Sequence, residues 1–141
     1  MKNKVIMVYE LFFDGCSKGN PGHAGAGAVL YENGIEIKSI STYVGSSETN
    51  NVAEYSGLIY GLELSHGIES LTIKGDSLLV IQQMKGVYAV KNPKLKVLYQ
   101  KAKDLCSYKL ITFIHVPRNE NTRADELSNI ALYKQFTSVN E

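Results

Sequence analysis

The stretch Phe12-Phe13-Asp14-Gly15-Cys16-Ser17-Lys18-Gly19-Asn20-Pro21-Gly22 decides how the rest of the chain is read. Strand-forming residues from Val5 to Phe13 lead into a single carboxylate, and the chain then breaks into glycines, an asparagine and a proline. A carboxylate at the end of such a strand is costly to bury unless charge or hydrogen bonds compensate it. Asp-Gly is also a common turn pair, so Asp14 alone reads equally well as the opening of a turn. The rest of the chain favours the other reading, in which Asp14 is held at the sheet to bind a cation.

Outward from this stretch, the elements alternate. Gly19–Gly22 makes a loop, and Ala24–Tyr31 is small and apolar, a second strand whose glycines admit a close backbone or ligand. Asn33-Gly34 carries a hairpin signal. Ile35–Val44 alternates apolar and polar residues, so a third strand runs antiparallel to the second. Thr49-Asn50-Asn51 supplies N-cap chemistry for a helix from about Asn51 to His66. On that helix Leu58 and Leu62 stand four and eight places after Glu54, which puts Glu54 on the buried stripe; Glu63, nine places on, faces solvent. Glu54 also reads as a first-turn acid complementing the helix dipole. Leu71–Lys74 is a fourth strand, Leu78–Lys85 a helix with Asp76 as a candidate N-cap, and Gly86–Pro93 a break. Lys94–Leu105 is a helix and Leu110–Val116 a fifth strand. A polar loop, Pro117–Asn121, precedes a last helix that opens on a Thr122-x-x-Asp125 capping box. Helical crossovers between strands imply parallel pairing. The expectation is an α/β fold: a five-stranded mixed sheet, strands 1, 4 and 5 parallel and strand 2 antiparallel, flanked by helices.

Length and composition set the class. The 141 residues suit one domain, 1–141, with the tail after Phe136 expected to fray. Hydrophobic content of 44% and charged content of 21% fit a soluble globular protein. No apolar run approaches the ~18 residues of a membrane span, and the first residues lack a signal segment, so a cytoplasmic protein without membrane contact is expected. Cys16 and Cys106 form no metal-ligand pattern and read as free thiols. The net charge of +1 excludes nothing. Its distribution is uneven: Lys85, Lys91, Lys94, Lys96, Lys101, Lys103 and Lys109 face one acid, Asp104. Such a run is either a solvated face or a patch that meets phosphates.

Asp14, Glu54, Asp76 and Asp125 each have an innocent explanation, but all four fall at strand ends or helix starts. These share one edge of an α/β sheet, where ligand sites form. Four carboxylates gathered there repel one another unless cations join them. Mg²⁺ takes oxygen ligands, and two such ions about 3.5–4 Å apart clamp a phosphodiester for cleavage.

Four segments, FFDGCSKGNPGHAGAGAVL, TNNVAEYSGLIYGLE, IKGDSLLVIQQMKG and HVPRNENTRADELSNIA, together resemble the type 1 ribonuclease H family over nearly the whole chain. The resemblance implies the ribonuclease H-like fold and hydrolysis of the RNA strand of RNA–DNA hybrids, with 5′-phosphate and 3′-hydroxyl products. It implies dependence on two Mg²⁺ ions, with Mn²⁺ as a substitute, held by Asp14, Glu54, Asp76 and Asp125. Asp14 would bridge both ions, Asp125 complete the attacking-water side, and Glu54 and Asp76 the leaving-group side. Glu54 would also meet the RNA 2′-hydroxyl. Asn20, Thr49, Asn50 and Ser77 match substrate-contact positions. A monomer is expected.

Two departures stand out. Many bacterial members carry a basic, tryptophan-containing protrusion where this chain has the short Gly86–Pro93 and no tryptophan, which leaves Lys91, Lys94 and Lys96 as candidate substrate holders. The histidine loop before the last aspartate is shortened to Pro117–Asn121, where Arg118 is the candidate for meeting departing phosphate; His115 lies in a strand and reads as structural. The rival readings are a nuclease of this fold acting on double-stranded RNA or DNA, and a non-cleaving nucleic-acid-binding module. A dinucleotide-binding enzyme is rejected, because the glycines lead into a strand rather than opening a helix.

Overall fold

The computed structural model describes residues 6–138. Ten elements follow in order: β1 (Tyr9–Lys18), β2 (Gly22–Glu32), β3 (Ile35–Glu48), α1 (Asn50–Leu64), β4 (Ser70–Gly75), α2 (Leu78–Met84), α3 (Pro93–Leu105), β5 (Leu110–His115), a 3₁₀ turn (Arg118–Glu120) and α4 (Thr122–Ser138). The sheet order is β3-β2-β1-β4-β5. β1 is antiparallel to β2 and parallel to β4, and β4 is parallel to β5, so the expected mixed sheet is the observed one.

Two apolar layers hold the sheet. On one face Leu11, Phe13 and Ile73 meet Tyr55, Leu58 and Leu62 of α1, with Val80, Ile81, Leu95 and Ala102 from α2 and α3. On the other, Val29 meets Ala124 and Leu127 of α4, flanked by Phe12 and Tyr31. Two glycines let α1 approach β1: a β-carbon on Gly15 would overlap the Ala53 backbone, and one on Gly57 would overlap the Asp14 carbonyl. That contact seats the first turns of α1 directly beside Asp14. Gly25 and Gly27, among the small residues of β2, admit α4 in the same way.

The structure corrects several local expectations. Val5 lies outside the described residues, and β1 begins at Tyr9. Asp14 is not at the strand end: β1 continues to Lys18 because it pairs with β2 as far as Lys18↔His23. What ends near Asp14 is the parallel ladder to β4, whose last pair is Phe13↔Gly75. Asp14 therefore sits where one neighbouring strand has stopped and a cleft opens. β3 runs to Glu48 rather than Val44, and Ile35 and Ile37 are exposed at the outer edge. Ser77, not Asp76, caps α2, its hydroxyl accepting from the Val80 N–H at 3.3 Å. Glu54 is not in the first turn of α1, which starts at Asn50 and is capped by Thr49. Thr122 is already helical, so the capping box does not form; Asn121 takes the cap position, and the Asp125 N–H donates to its carbonyl at 3.1 Å. The helix continues past Phe136 to Ser138, and residues 139–141 lie outside the described part.

Candidate active site

Three elements deliver three carboxylates to one place. Asp14 comes from β1, Glu54 from the second turn of α1, and Asp76 from the link between β4 and α2. Each contributes an oxygen lying within 4.8 Å of the other two. They line an open cleft of about 520 Å³ with Ser17, Asn50, Ser77, Arg118 and Asp125. Asp125, from the first turn of α4, shares this cleft but stands outside the tight group of three.

The electrostatics are unfavourable. Asp14 is 5% exposed and Glu54 9%. Burial pushes the Asp14 carboxyl up to about 7, helped by the charges of Asp76 and Asp125; hydrogen bonding with Glu54 and the Gly15 N–H pulls it back. Burial also raises Glu54 well above the usual carboxylate range, reinforced by the charge and hydrogen bond of Asp14. One Glu54 oxygen, Oε2, is buried with no hydrogen-bond partner. Ordinary folding seldom leaves a polar atom in that state, since the unmade bond costs about 1–3 kcal/mol. A set of clustered carboxylate oxygens, two of them on side chains whose proton affinity burial raises and one oxygen unpartnered, fits a divalent cation with oxygen ligands.

The opposite helix phases hold. Glu63 is exposed on the far side of α1 and lies 4.0 Å from Lys101. Asn50 and Asn20 have structural tasks: the Asn50 side-chain oxygen accepts from the Ser17 N–H, and the Asn20 oxygen accepts from the Asn50 N–H, both at 2.9 Å. Asn50 lines the acidic cleft. Asn20 and Thr49 line a second groove of about 310 Å³ with Glu48 and Lys94, joined to the first through Asn51. Lys91 and Lys96 are exposed and line neither of these clefts; Lys94 is paired with Glu48 at 2.6 Å. Arg118 is exposed on the 3₁₀ turn and lines the acidic cleft. His115 is not packed, contrary to its reading as a structural strand residue. Its ring is exposed at the end of β5, with Nε2 3.3 Å from the Asp76 carbonyl.

Six cleft residues were not read as site residues in the sequence: Gly15, Cys16, Ser17, Lys18, Asn51 and Asn129. Asn129 was findable, since it stands four places after Asp125 on a helix and i, i+4 residues share a face.

A family model described as reverse transcriptase-like matches residues 12–131. The chain is 43% identical over 124 residues to the bifunctional protein Rv2228c of Mycobacterium tuberculosis, covering 84% of this chain and 34% of that protein. It is 40% identical over 126 residues to ribonuclease HI of Halobacterium salinarum, covering 86% and 62%. It thus spans less than two thirds of either relative. Its fold superposes on the N-terminal RNase H domain of the mycobacterial protein, solved as a fusion with maltose binding protein, with a TM-score of 0.88 at 39% identity, over 95% of this chain and 99% of that one. LC11-RNase H1, solved in complex with an RNA/DNA hybrid, gives a TM-score of 0.85 at 37% identity, over 91% and 99%. Sequence along most of its length and superposition of the whole sheet agree that the chain belongs to the type 1 ribonuclease H family.

Proposed function

We propose that the chain is a metal-dependent endonuclease that hydrolyses the RNA strand of RNA–DNA hybrids, leaving 5′-phosphate and 3′-hydroxyl ends. The observation that carries this reading is the cluster of buried Asp14 and Glu54 with half-buried Asp76, one Glu54 oxygen being unpartnered. Asp14, Glu54, Asp76 and Asp125 would hold two Mg²⁺ ions, or Mn²⁺ in their place. Such ions, when bound, supply an activated water and stabilise charge on the departing phosphodiester oxygen.

The chain's own residues do the remaining work. Asn20 and Asn50 spend their side-chain oxygens on backbone N–H groups, which leaves both amide NH₂ ends to donate to the hybrid backbone. The Ser77 hydroxyl accepts from the Val80 N–H and keeps its own proton for a substrate oxygen. The Thr49 hydroxyl accepts from the Val52 N–H and keeps its own in the same way. Glu54 is assigned to the RNA 2′-hydroxyl, the group that separates RNA from DNA. Arg118, always cationic and on the cleft rim, meets departing phosphate. Lys91, Lys94 and Lys96 attract the hybrid without touching the chemistry. Residues 1–141 act in this reading as one ribonuclease H domain, monomeric and cytoplasmic.

The test is incubation of the protein with labelled RNA–DNA hybrid, double-stranded RNA and double-stranded DNA, each with Mg²⁺, Mn²⁺ or a chelator. Cutting of the hybrid's RNA strand, dependent on metal, is the expected result. Preferred cutting of double-stranded RNA or DNA would move the reading to another substrate, and binding without cutting would reduce it to a binding module.

A further inference from the structure

Asp125 is the carboxylate that stands apart. The other three are gathered by backbone geometry, through the approach of α1 to β1 at Gly15 and Gly57 and the end of the β1–β4 ladder at Phe13↔Gly75. Asp125 is the fourth residue of α4, on the opposite face of the sheet from α1, and its carboxylate must be held at the cleft by something else.

Asparagines four places before and four places after it do so in two different ways. Asn121 fixes the backbone. It is 1% exposed, its side-chain NH₂ donates to the Phe13 carbonyl at 2.9 Å, and its own carbonyl accepts from the Asp125 N–H. The start of α4 is thereby clipped to the strand residue next to Asp14. Asn129 fixes the side chain. Its NH₂ donates to the Asp125 main-chain carbonyl at 2.9 Å and to the Asp125 Oδ1 at 3.3 Å. Both neighbours are acceptors, so this end of the amide must be the nitrogen. The amide oxygen faces the Cys16 Sγ, 3.9 Å away on β1, which tethers the other end across the cleft. Asn129 is half-buried and lines the acidic cleft itself.

We propose that Asn129 is a positioning residue for Asp125, occupying one carboxylate oxygen and turning the other toward the site shared with Asp14. The inference rests on the reading of Asp125 as a cation ligand. Hydrogen-bond partners of ligating carboxylates set ligand orientation, and losing one costs about 10–100-fold in metal affinity or activity. An exposed helix asparagine without this role costs almost nothing on replacement.

The experiment compares wild type, Asn129→Ala, Asn129→Ser and Asp125→Asn on a labelled hybrid across a Mg²⁺ series, with melting temperatures recorded alongside. Asn129→Ala should lower kcat about tenfold and raise the half-saturating Mg²⁺ concentration several-fold, while KM for the hybrid moves less than about twofold. Asn129→Ser, which keeps a donor, should recover part of both losses. Unchanged kcat and Mg²⁺ requirement in Asn129→Ala, with Asp125→Asn inactive, would overturn the positioning role alone. A rise in KM without a change in Mg²⁺ requirement would overturn it too, and make Asn129 a direct substrate contact. Full activity of Asp125→Asn would instead overturn the reading of the carboxylate site. A melting temperature lowered in step with activity, and activity regained on cooling, would mark Asn129 as merely structural.

Discussion

Two charged regions of this chain look alike in sequence and behave oppositely in the fold. The lysine run from Lys85 to Lys109 satisfies much of its charge within the chain. Lys94 pairs with Glu48, Lys101 approaches Glu63, Lys103 donates to the Met84 carbonyl, and Lys109 donates to the carbonyls of Ser65 and Ile68. Among the described residues, no lysine, arginine or histidine pairs with the carboxylates of the cleft. Asp14 and Glu54 are buried beside Asp76, burial raises the proton affinity of both, and an oxygen of Glu54 goes unpartnered. Charge that a fold has neutralised explains itself by stability. Charge that a fold has buried and left in conflict needs a ligand to explain it.

The sharpest way to break this contrast is to remove a buried carboxylate and an exposed one from the same helix. Glu54→Gln should cut hybrid turnover by more than about a hundredfold, beyond the loss of an outer-shell partner, whereas Glu63→Gln should change it less than twofold. Asp14→Asn should do as much as Glu54→Gln. Single-turnover cleavage with folded variants decides it, and comparable losses at Glu54 and Glu63 would break the distinction between buried and exposed charge.

A smaller effect is expected at the rim. Arg118→Ala should slow turnover about tenfold, the worth of one charge-assisted hydrogen bond of roughly 1.5 kcal/mol, and more than His115→Ala does. Arg118 lines the cleft, while Nε2 of the exposed His115 ring lies 3.3 Å from the Asp76 carbonyl. A larger loss at His115, with the fold intact, would transfer the role to the histidine.

The smallest effect should come from the lysines. Replacing Lys91, Lys94 and Lys96 together with Gln should raise KM, leave kcat nearly intact, and flatten the salt dependence of KM. Each phosphate contact contributes a slope of about −0.9 on duplex DNA; with Lys94 already paired to Glu48, about two units is the expected ceiling. An unchanged slope would make the whole run a solvated face.

Sequence reading and structure part company in an instructive pattern. Strand order, pairing directions and the inward phase of Glu54 were legible, because each depends on a period or a crossover that short stretches display. The length of β1 was not. Gly15, Cys16, Ser17 and Lys18 have weak strand preference, and only pairing with β2 extends them. The cap of α2 was hidden in the same way, since Asp and Ser are equally good caps and only the fold shows that Ser77 took the task. That the glycines at 15 and 57 bring α1 against β1 appears only when the two elements are side by side. The partners of the lysine run were not legible, because sequence counts charges and cannot see what lies beside them.

The central claim is that the buried carboxylates are held apart from their ordinary protonation for a cation, and stability measures this without any substrate. The folded Asp14 carboxyl is raised to about 7 from its ordinary value near 3.8, so the folded state binds the proton more tightly. The associated stability is full below about pH 4 and is lost as pH rises through 7, an effect on the order of a few kcal/mol; Glu54, also raised, extends the loss upward. Thermal denaturation of wild type and Asp14→Asn should therefore be followed from pH 5 to 9, in chelator and in Mg²⁺. The account predicts that metal-free wild type weakens as pH rises, that Mg²⁺ restores it at pH 8, and that Asp14→Asn is the more stable protein in chelator at pH 8 while gaining little from Mg²⁺. Identical pH dependence and identical Mg²⁺ response in the two proteins would contradict it.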